Sequence, residues 1–162
     1  MSVKNIAKLA VVAALYAVLT LFLPNQFGPV QFRLAEALDF LIFYDYRYAY
    51  ALGVGCAIAN ISSPMFLDVI VGTAQTVLVL LFIYFITKKM KSLLAKYITL
   101  DVVFSLSMFI IAWELWFQGL VKSSALMNTY VGLVLWEGFV LTITGVAMYL
   151  VQKQNLVNLY LD

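Results

Sequence analysis

The chain is a series of long apolar runs separated by short polar or proline-containing breaks, and within the runs polar and apolar residues do not alternate. The first run, from about Asn5 to Leu23, stops at Pro24, which cannot continue a helix. Pro24-Asn-Gln-Phe-Gly-Pro-Val30 carries two prolines, a glycine and no charge, and is predicted to be a loop. Leu34 to Asn60 is apolar except for Glu36, Asp39 and a central Asp45-Tyr46-Arg47 step. That step allows one long imperfect span or two short helices, over about 33–44 and 47–60; placing Lys4, Lys8 and the Lys88–Lys96 segment on one side needs an even number of spans between them and selects the two helices. Asn60-Ile-Ser-Ser-Pro64 predicts a turn, with Ser63 as cap and Pro64 in the first turn of a helix running to Thr87. A lysine-rich segment from Lys88 to Lys96 follows, then helices over about 98–118 and 126–151 and a short polar tail to Asp162. The two short helices fall below the roughly 20 residues a bilayer requires. They are expected to sit within the protein or to extend through less regular ends.

Hydrophobic residues make up 65% of the 162 residues and charged ones 11%, which excludes an ordinary soluble protein. With a mean hydropathy of +1.00 and no alternation, the pattern predicts an all-α integral membrane protein and not a β-barrel. Cytoplasmic loops collect lysine and arginine. Lys4, Lys8, Arg47, Lys88, Lys89, Lys91, Lys96 and Lys153, eight of the ten basic residues, fall on one side if six helices span, and only Arg33 and Lys122 on the other. The prediction is therefore a single domain, a six-transmembrane-helix bundle with both ends in the cytoplasm. Lys4 and Lys8 ahead of an apolar run imitate a signal peptide. The run is longer than such a segment and no small-x-small cleavage site follows, so it is read as the first span. The chain has no histidine and one cysteine, Cys56. Histidine-based metal or acid–base chemistry and an internal disulfide are excluded, and no cofactor is expected. There is no basic patch for nucleic acid. No phosphate-cradling glycine loop is present, so uphill transport would draw its energy from another chain or an ion gradient.

Candidate chemistry begins at Gln31-Phe-Arg33-Leu-Ala-Glu36-Ala-Leu-Asp39, where three charges interrupt the apolar sequence. Arg33, Glu36 and Asp39 fall within one 120° arc of an α-helix. Ionisable groups inside a membrane mark a ligand site, an ion path or a buried pair. The plainer alternative is an Arg33–Glu36 pair at i,i+3 near the membrane surface. Glu137 lies about eleven residues into the last helix, roughly 16 Å deep, beside Trp136. A carboxylate at that depth is protonated, paired (Arg33 is the available cation) or facing a polar cavity. Asp68, Gly72 and Gln75 recur at i, i+4, i+7 and share a face, although an acid at Asp68 also suits a helix N-terminus. Trp113-Glu114-Leu-Trp116 closes the fifth helix; tryptophan there is an interfacial anchor, whereas Glu114 is not. With Asn60, these acids, amides and aromatics suit a small, flat, polar solute. A carboxylate accepts two N–H bonds from a guanine-like edge, and aromatic faces stack on its ring. On helix 1, Ala10/Ala14 and Ala13/Ala17 are two small-xxx-small pairs, the spacing that lets another helix approach closely.

Gln31-Phe-Arg33-x-x-Glu36-Ala-Leu, Gly53-x-Gly55-Cys56-x-Ile-Ala-Asn60 and Asp68-x-x-x-Gly72-x-x-x-Thr76 together resemble the QueT family, and Trp136-Glu137-Gly138 is similar to that family's Gly-Glu step with tryptophan in place of the glycine. The resemblance is strongest over 5–80 and weaker over 98–151. It implies a six-helix substrate-binding S component of an energy-coupling factor (ECF) transporter in a prokaryotic cell membrane, taking up queuosine precursors, which are deazaguanine bases. It implies that the chain is not itself an enzyme. It also implies that the alanine face of helix 1 docks on a transmembrane coupling protein driven by two cytoplasmic ATPases. The competing readings are a stand-alone facilitator or ion-coupled carrier, an S component for another vitamin-like solute, an intramembrane enzyme and a structural subunit. Carriers usually show an internal repeat and this chain has none evident. An acidic intramembrane enzyme would want metal-ligand spacing such as D-x-x-D on one helix, which is absent. A structural subunit leaves Glu137 unexplained.

Overall fold

The computed structural model describes residues 2–22, 34–63 and 65–153. They form α1 (Val3–Leu21), a 3₁₀ segment (Leu34–Phe43), α2 (Arg47–Asn60), α3 (Phe66–Thr87), α4 (Leu93–Ser107), α5 (Phe109–Phe117) and α6 (Leu126–Lys153), with one 3₁₀ turn at Ser123–Ala125 before α6. No strand occurs among them. Among the described residues four stretches are long and apolar enough to cross a membrane: Val3–Leu21, Phe66–Thr87, Leu93–Phe117 and Ser123–Lys153. Large apolar side chains such as Leu78, Phe82, Leu135 and Phe139 point outward. That is the surface expected of helices facing hydrocarbon.

Local chemistry sets the ends. Ser2 and Ser92 cap α1 and α4, their hydroxyls accepting the N–H of Asn5 at 3.4 Å and of Ala95 at 3.3 Å. The Ser92 cap starts α4 five residues before the expected Ile98. Ser63 does not cap α3. Its hydroxyl accepts the Met65 N–H at 3.2 Å and donates to the Asp68 carboxylate, and α3 begins at Phe66; Pro64 lies outside the described residues. The expected turn at Asp45–Arg47 is present. Asp45 accepts the Arg47 backbone N–H and Nε, each at 2.8 Å, and these bonds hold its carboxyl below the usual range. The helix expected over 98–118 is interrupted at Met108, which separates α4 from α5. The Ser107 hydroxyl donates to the Phe104 carbonyl at 2.6 Å, and the Met108 N–H bonds back to Ser105 in a tightened turn. Side-chain competition for helix carbonyls disturbs a helix in this way.

Cross-helix contacts give the direction of each segment. Ala13 and Tyr16 meet Gly55, while Asn5 and Lys8 share a polar pocket with Asp45 and Arg47, so α1 and α2 run the same way. The 3₁₀ segment between them returns the chain in the opposite sense. Asn60 bonds the Asp68 carbonyl and Thr76 bonds Cys56, so α3 is antiparallel to α2. Gln75 bonds Ser107 and Gln118 reaches Asp68, which sets α4 and α5 antiparallel to α3. Tyr97 bonds Gln152 and Thr142 bonds Asp101, which sets α6 antiparallel to α4. The 3₁₀ segment touches α1, α2, α3, α4 and α6, and so lies inside the bundle.

Ten residues is long for a 3₁₀ run. At about 2.0 Å per residue it spans about 20 Å, where an α-helix of that length would reach about 15 Å. It also eclipses i and i+3. Glu36, Asp39 and Ile42 therefore form one line, all three fully buried, where an α-helix would spread them over an arc. Arg33 lies outside the described residues. Phe40 locks the segment in place. Its ring stacks on Tyr97 with centroids 4.5 Å apart and occupies the space left by Gly145, where a Cβ would come within 2.8 Å of the ring.

At Gly55 the neighbour is backbone, which cannot swing aside as a side chain can. A Cβ there would lie 2.6 Å from the Ala13 carbonyl oxygen and 2.8 Å from the Tyr16 Cβ. Gly55→Ala is expected to destabilise the protein by about 1–3 kcal/mol, the usual cost of overpacking a close contact. Thermal unfolding in detergent checks this, with Gly132→Ala as the control. Nothing lies within 4 Å of a Cβ at Gly132, so that change should not lower the midpoint.

Candidate functional site

Among the described residues four of the seven acids are buried: Glu36 and Asp39 at 0% exposure, Glu137 at 3% and Glu114 at 4%. Glu36 and Asp39 lie on the internal 3₁₀ segment, and Glu114 and Glu137 lie on the inward sides of α5 and α6. The basic residues among those described sit in the first two turns or at the ends of helices, or in the connections. Acid is thus placed in the interior and base at the two ends.

The contact between Phe40 and Gly145 fixes the level of the 3₁₀ segment against α6. Glu36 lies four residues back from Phe40, about 8 Å along a 3₁₀ run. Glu137 lies eight residues back from Gly145, about 12 Å along an α-helix. The two segments run in the same direction, so these carboxylates stand at levels about 4 Å apart. Gly138 faces Ser105, whose hydroxyl would lie 3.3 Å from an added Cβ. Two residues on, Ser107 accepts the Gln75 amide at 2.9 Å. Glu36, Gln75, Ser107 and Glu137 thus occupy one layer, supplied by four different segments.

A second layer lies one to two turns away, toward the end where α2 finishes and α3 starts. The Asn60 amide donates to the Asp68 carbonyl at 3.0 Å and rests against Gly72, where a Cβ would sit 2.9 Å from its nitrogen. Gln118 donates to Glu114 at 3.1 Å and to Asp68 at 3.5 Å, which ties the end of α5 to the start of α3. Gln75 and Glu114 also line one apolar groove of 380 Å³ between α3 and α5, with Trp113 at its rim. Asn60, Asp68, Gln75, Trp113 and Glu114 are therefore joined on one side of the bundle, with Glu36 and Glu137 in the layer beside Gln75. Trp113 faces outward against Phe117, and Trp136 is half-buried against Phe139, on a different face of α6 from Glu137. Arg33 and the Pro24–Val30 loop lie outside the described residues.

The alanines of α1 divide. Ala13 and Ala17 are buried, Ala13 at the Gly55 contact with α2, whereas Ala10 and Ala14 are exposed. Three polar residues that the sequence reading passed over join the arrangement. Ser107 had no local signal, because its partner is 32 residues away. Gln118 had one, standing i+4 from Glu114. Asp101 is half-buried on α4 and accepts bonds from Thr142 at 2.6 Å and Ser105 at 3.3 Å. Among the described residues no group of acids, cysteines or histidines could hold a metal ion. What the layers offer chemically is hydrogen-bond acceptance by carboxylates and amides within apolar walls.

No solved structure matches the chain. A protein named Queuosine precursor transporter QueT, from Lactococcus lactis subsp. cremoris (strain MG1363), is 36% identical over 123 residues, covering 70% of this chain and 73% of its own. The model of the QueT transporter family matches residues 6–154, a span that takes in the buried acids, the layered amides and nearly all of the helical bundle. The chain belongs to the QueT transporter family.

Proposed function

We propose that this chain is the substrate-binding S component of an ECF-type importer. It captures a queuosine precursor, a deazaguanine base, outside a prokaryotic cell and delivers it inward together with a transmembrane coupling protein and two cytoplasmic ATPases. The observation that carries this reading is the family match over residues 6–154, supported by a relative named for queuosine precursor transport. In this reading the chain spans the cytoplasmic membrane six times with both ends inside. The 3₁₀ segment and α2 serve as the two short spans, shielded by their neighbours. The Glu36–Gln75–Ser107–Glu137 layer is the floor of a site open to the outside. The Asn60–Asp68–Gln118–Glu114 layer is its outer wall, with Trp113 contributing aromatic surface. A carboxylate that accepts two N–H groups from the guanine-like edge sets orientation, and apolar walls exclude water that would compete for it.

The test is thermal-shift binding with purified protein against a panel of deazaguanine bases, guanine and unrelated vitamins. Stabilisation by a deazaguanine base above all others is expected; a shift produced only by an unrelated vitamin overturns the substrate assignment. The topology has its own test. Single cysteines at Lys89 and Lys122 should react with impermeant reagents from opposite faces, Lys89 from inside and Lys122 from outside. Labelling of both from one face removes the six-span arrangement.

A further inference from the structure

Between α4 and α6, at the end where α6 finishes, the bundle carries a groove of 220 Å³ that none of the substrate chemistry uses. Its walls are Leu94, Tyr97 and Ile98 of α4 and Gly145, Val146 and Tyr149 of α6, with Phe40 behind them. Ile98 and Val146 are both 56% exposed, so the slot opens sideways from the bundle, toward the surrounding lipid. The one acid in its wall, Asp101, has both oxygens engaged, by Thr142 at 2.6 Å and Ser105 at 3.3 Å, and so tolerates an apolar neighbour. At the near end the Tyr97 hydroxyl donates to Gln152 at 2.7 Å and closes the slot.

Just beyond that bond the charge changes. Lys153 continues the Val146–Tyr149 ridge at i+7 and i+4, and Lys91 stands two residues before α4; both are exposed. The start of α4 and the end of α6 meet here, so their opposite helix dipoles offset one another and the lysines set the sign of the local field. An apolar slot that opens to lipid, with cations at its mouth, is complementary to a chain-bearing anion. Basic sites between membrane helices bind anionic headgroups, and each lysine near the surface adds to the attraction. We infer that this groove binds one anionic phospholipid of the surrounding bilayer, an acyl chain lying along Ile98 and Val146 and the headgroup phosphate between Lys91 and Lys153. The inference is independent of which solute the chain carries.

Native mass spectrometry of the purified protein, with dioleoyl-phosphatidylglycerol set against dioleoyl-phosphatidylcholine, tests it. One phosphatidylglycerol should be retained with a preference of about tenfold or more, the size two lysines near a membrane surface supply. The preference should fall below about twofold in Lys91→Gln/Lys153→Gln, which removes the cations, and in Val146→Trp, which fills the slot. It should persist in Lys88→Gln/Lys89→Gln, a control at the same end of the bundle. If Val146→Trp does not fold, the lysine pair decides, since it alters only exposed side chains. Equal retention of the two lipids by the parent overturns the inference. So does a preference that survives loss of Lys91 and Lys153. Equal loss in the Lys88/Lys89 control also overturns it, because the attraction would then be diffuse surface charge. A slot-filling variant that keeps its lipid preference but no longer co-purifies with a membrane partner assigns the groove to a partner helix instead.

Discussion

Replacing Glu137 with glutamine is expected to weaken binding of a deazaguanine base by about 1–3 kcal/mol, roughly five- to 150-fold in Kd, the range for one good bidentate base contact. The substitution keeps the size and shape of the side chain. What it changes is the bonding capacity: two acceptor oxygens become one acceptor and one donor. A base edge presenting two N–H groups then meets an N–H where it needs an oxygen, and one bond is replaced by a repulsive contact. Glu137 is the residue on which to make the test because it is 3% exposed and twelfth in a 28-residue helix, where a charge placed without purpose would be costly. Isothermal titration of the purified variant, with its thermal midpoint as the folding control, measures the effect. Unchanged affinity in a folded Glu137→Gln variant moves the contact elsewhere. Glu36, about 4 Å away in level on the neighbouring segment, is then the next candidate and Glu114 the one after.

The second large effect separates binding from transport. Ala14→Trp should purify folded and bind ligand with unchanged affinity, yet fail to assemble with a coupling protein and fail in uptake. Ala14 is exposed on α1, and the layers holding Glu36, Gln75, Glu114 and Glu137 are built from other segments. A bulky ring at Ala14 therefore points away from the described residues of the chain. It would hold a docking helix away, and dispersion contacts fall steeply with a gap of an ångström. Ala13→Trp provides the contrast. Ala13 is buried where its carbonyl oxygen lies 2.6 Å from the place a Gly55 Cβ would take, so that variant should fail to fold. Co-purification, ligand titration and an uptake assay distinguish the two. Normal assembly and uptake by Ala14→Trp would make the exposed alanines plain helix surface. Loss of ligand binding with assembly intact would place α1 in the site.

Much of this architecture is legible in the amino-acid order. Helix existence follows from apolar runs long enough to need burial or lipid, and their breaks follow from backbone chemistry: the Asp45-Tyr46-Arg47 step, the lysines from Lys88, the turn after Asn60. Burial of Glu137 was readable from cost alone, because an acid that deep in an apolar run has few places to go, whereas Glu36 also allowed a pair with Arg33 near the membrane surface. Start points were less legible. Ser92 caps α4 and Ser63 does not cap α3, a choice settled by whether a hydroxyl meets a free helix N–H or the Asp68 carboxylate. The 3₁₀ form of Leu34–Phe43 was not legible either. Its residues suit an α-helix equally well, and the contacts that surround the longer, tighter run come from five other helices. The small-residue pairs of α1 show the same division. Their spacing announces two faces that permit close approach, but a spacing cannot say which face is already filled. Packing buries Ala13, at the Gly55 contact, and Ala17, and leaves Ala10 and Ala14 outside. The sequence by itself determined which residues seek the interior, since transfer free energy is a property of each side chain. Only the tertiary structure decided which of them meet, as Gln75 meets Ser107 and Asp101 meets Thr142, because those encounters depend on the direction and level of helices far apart in the chain.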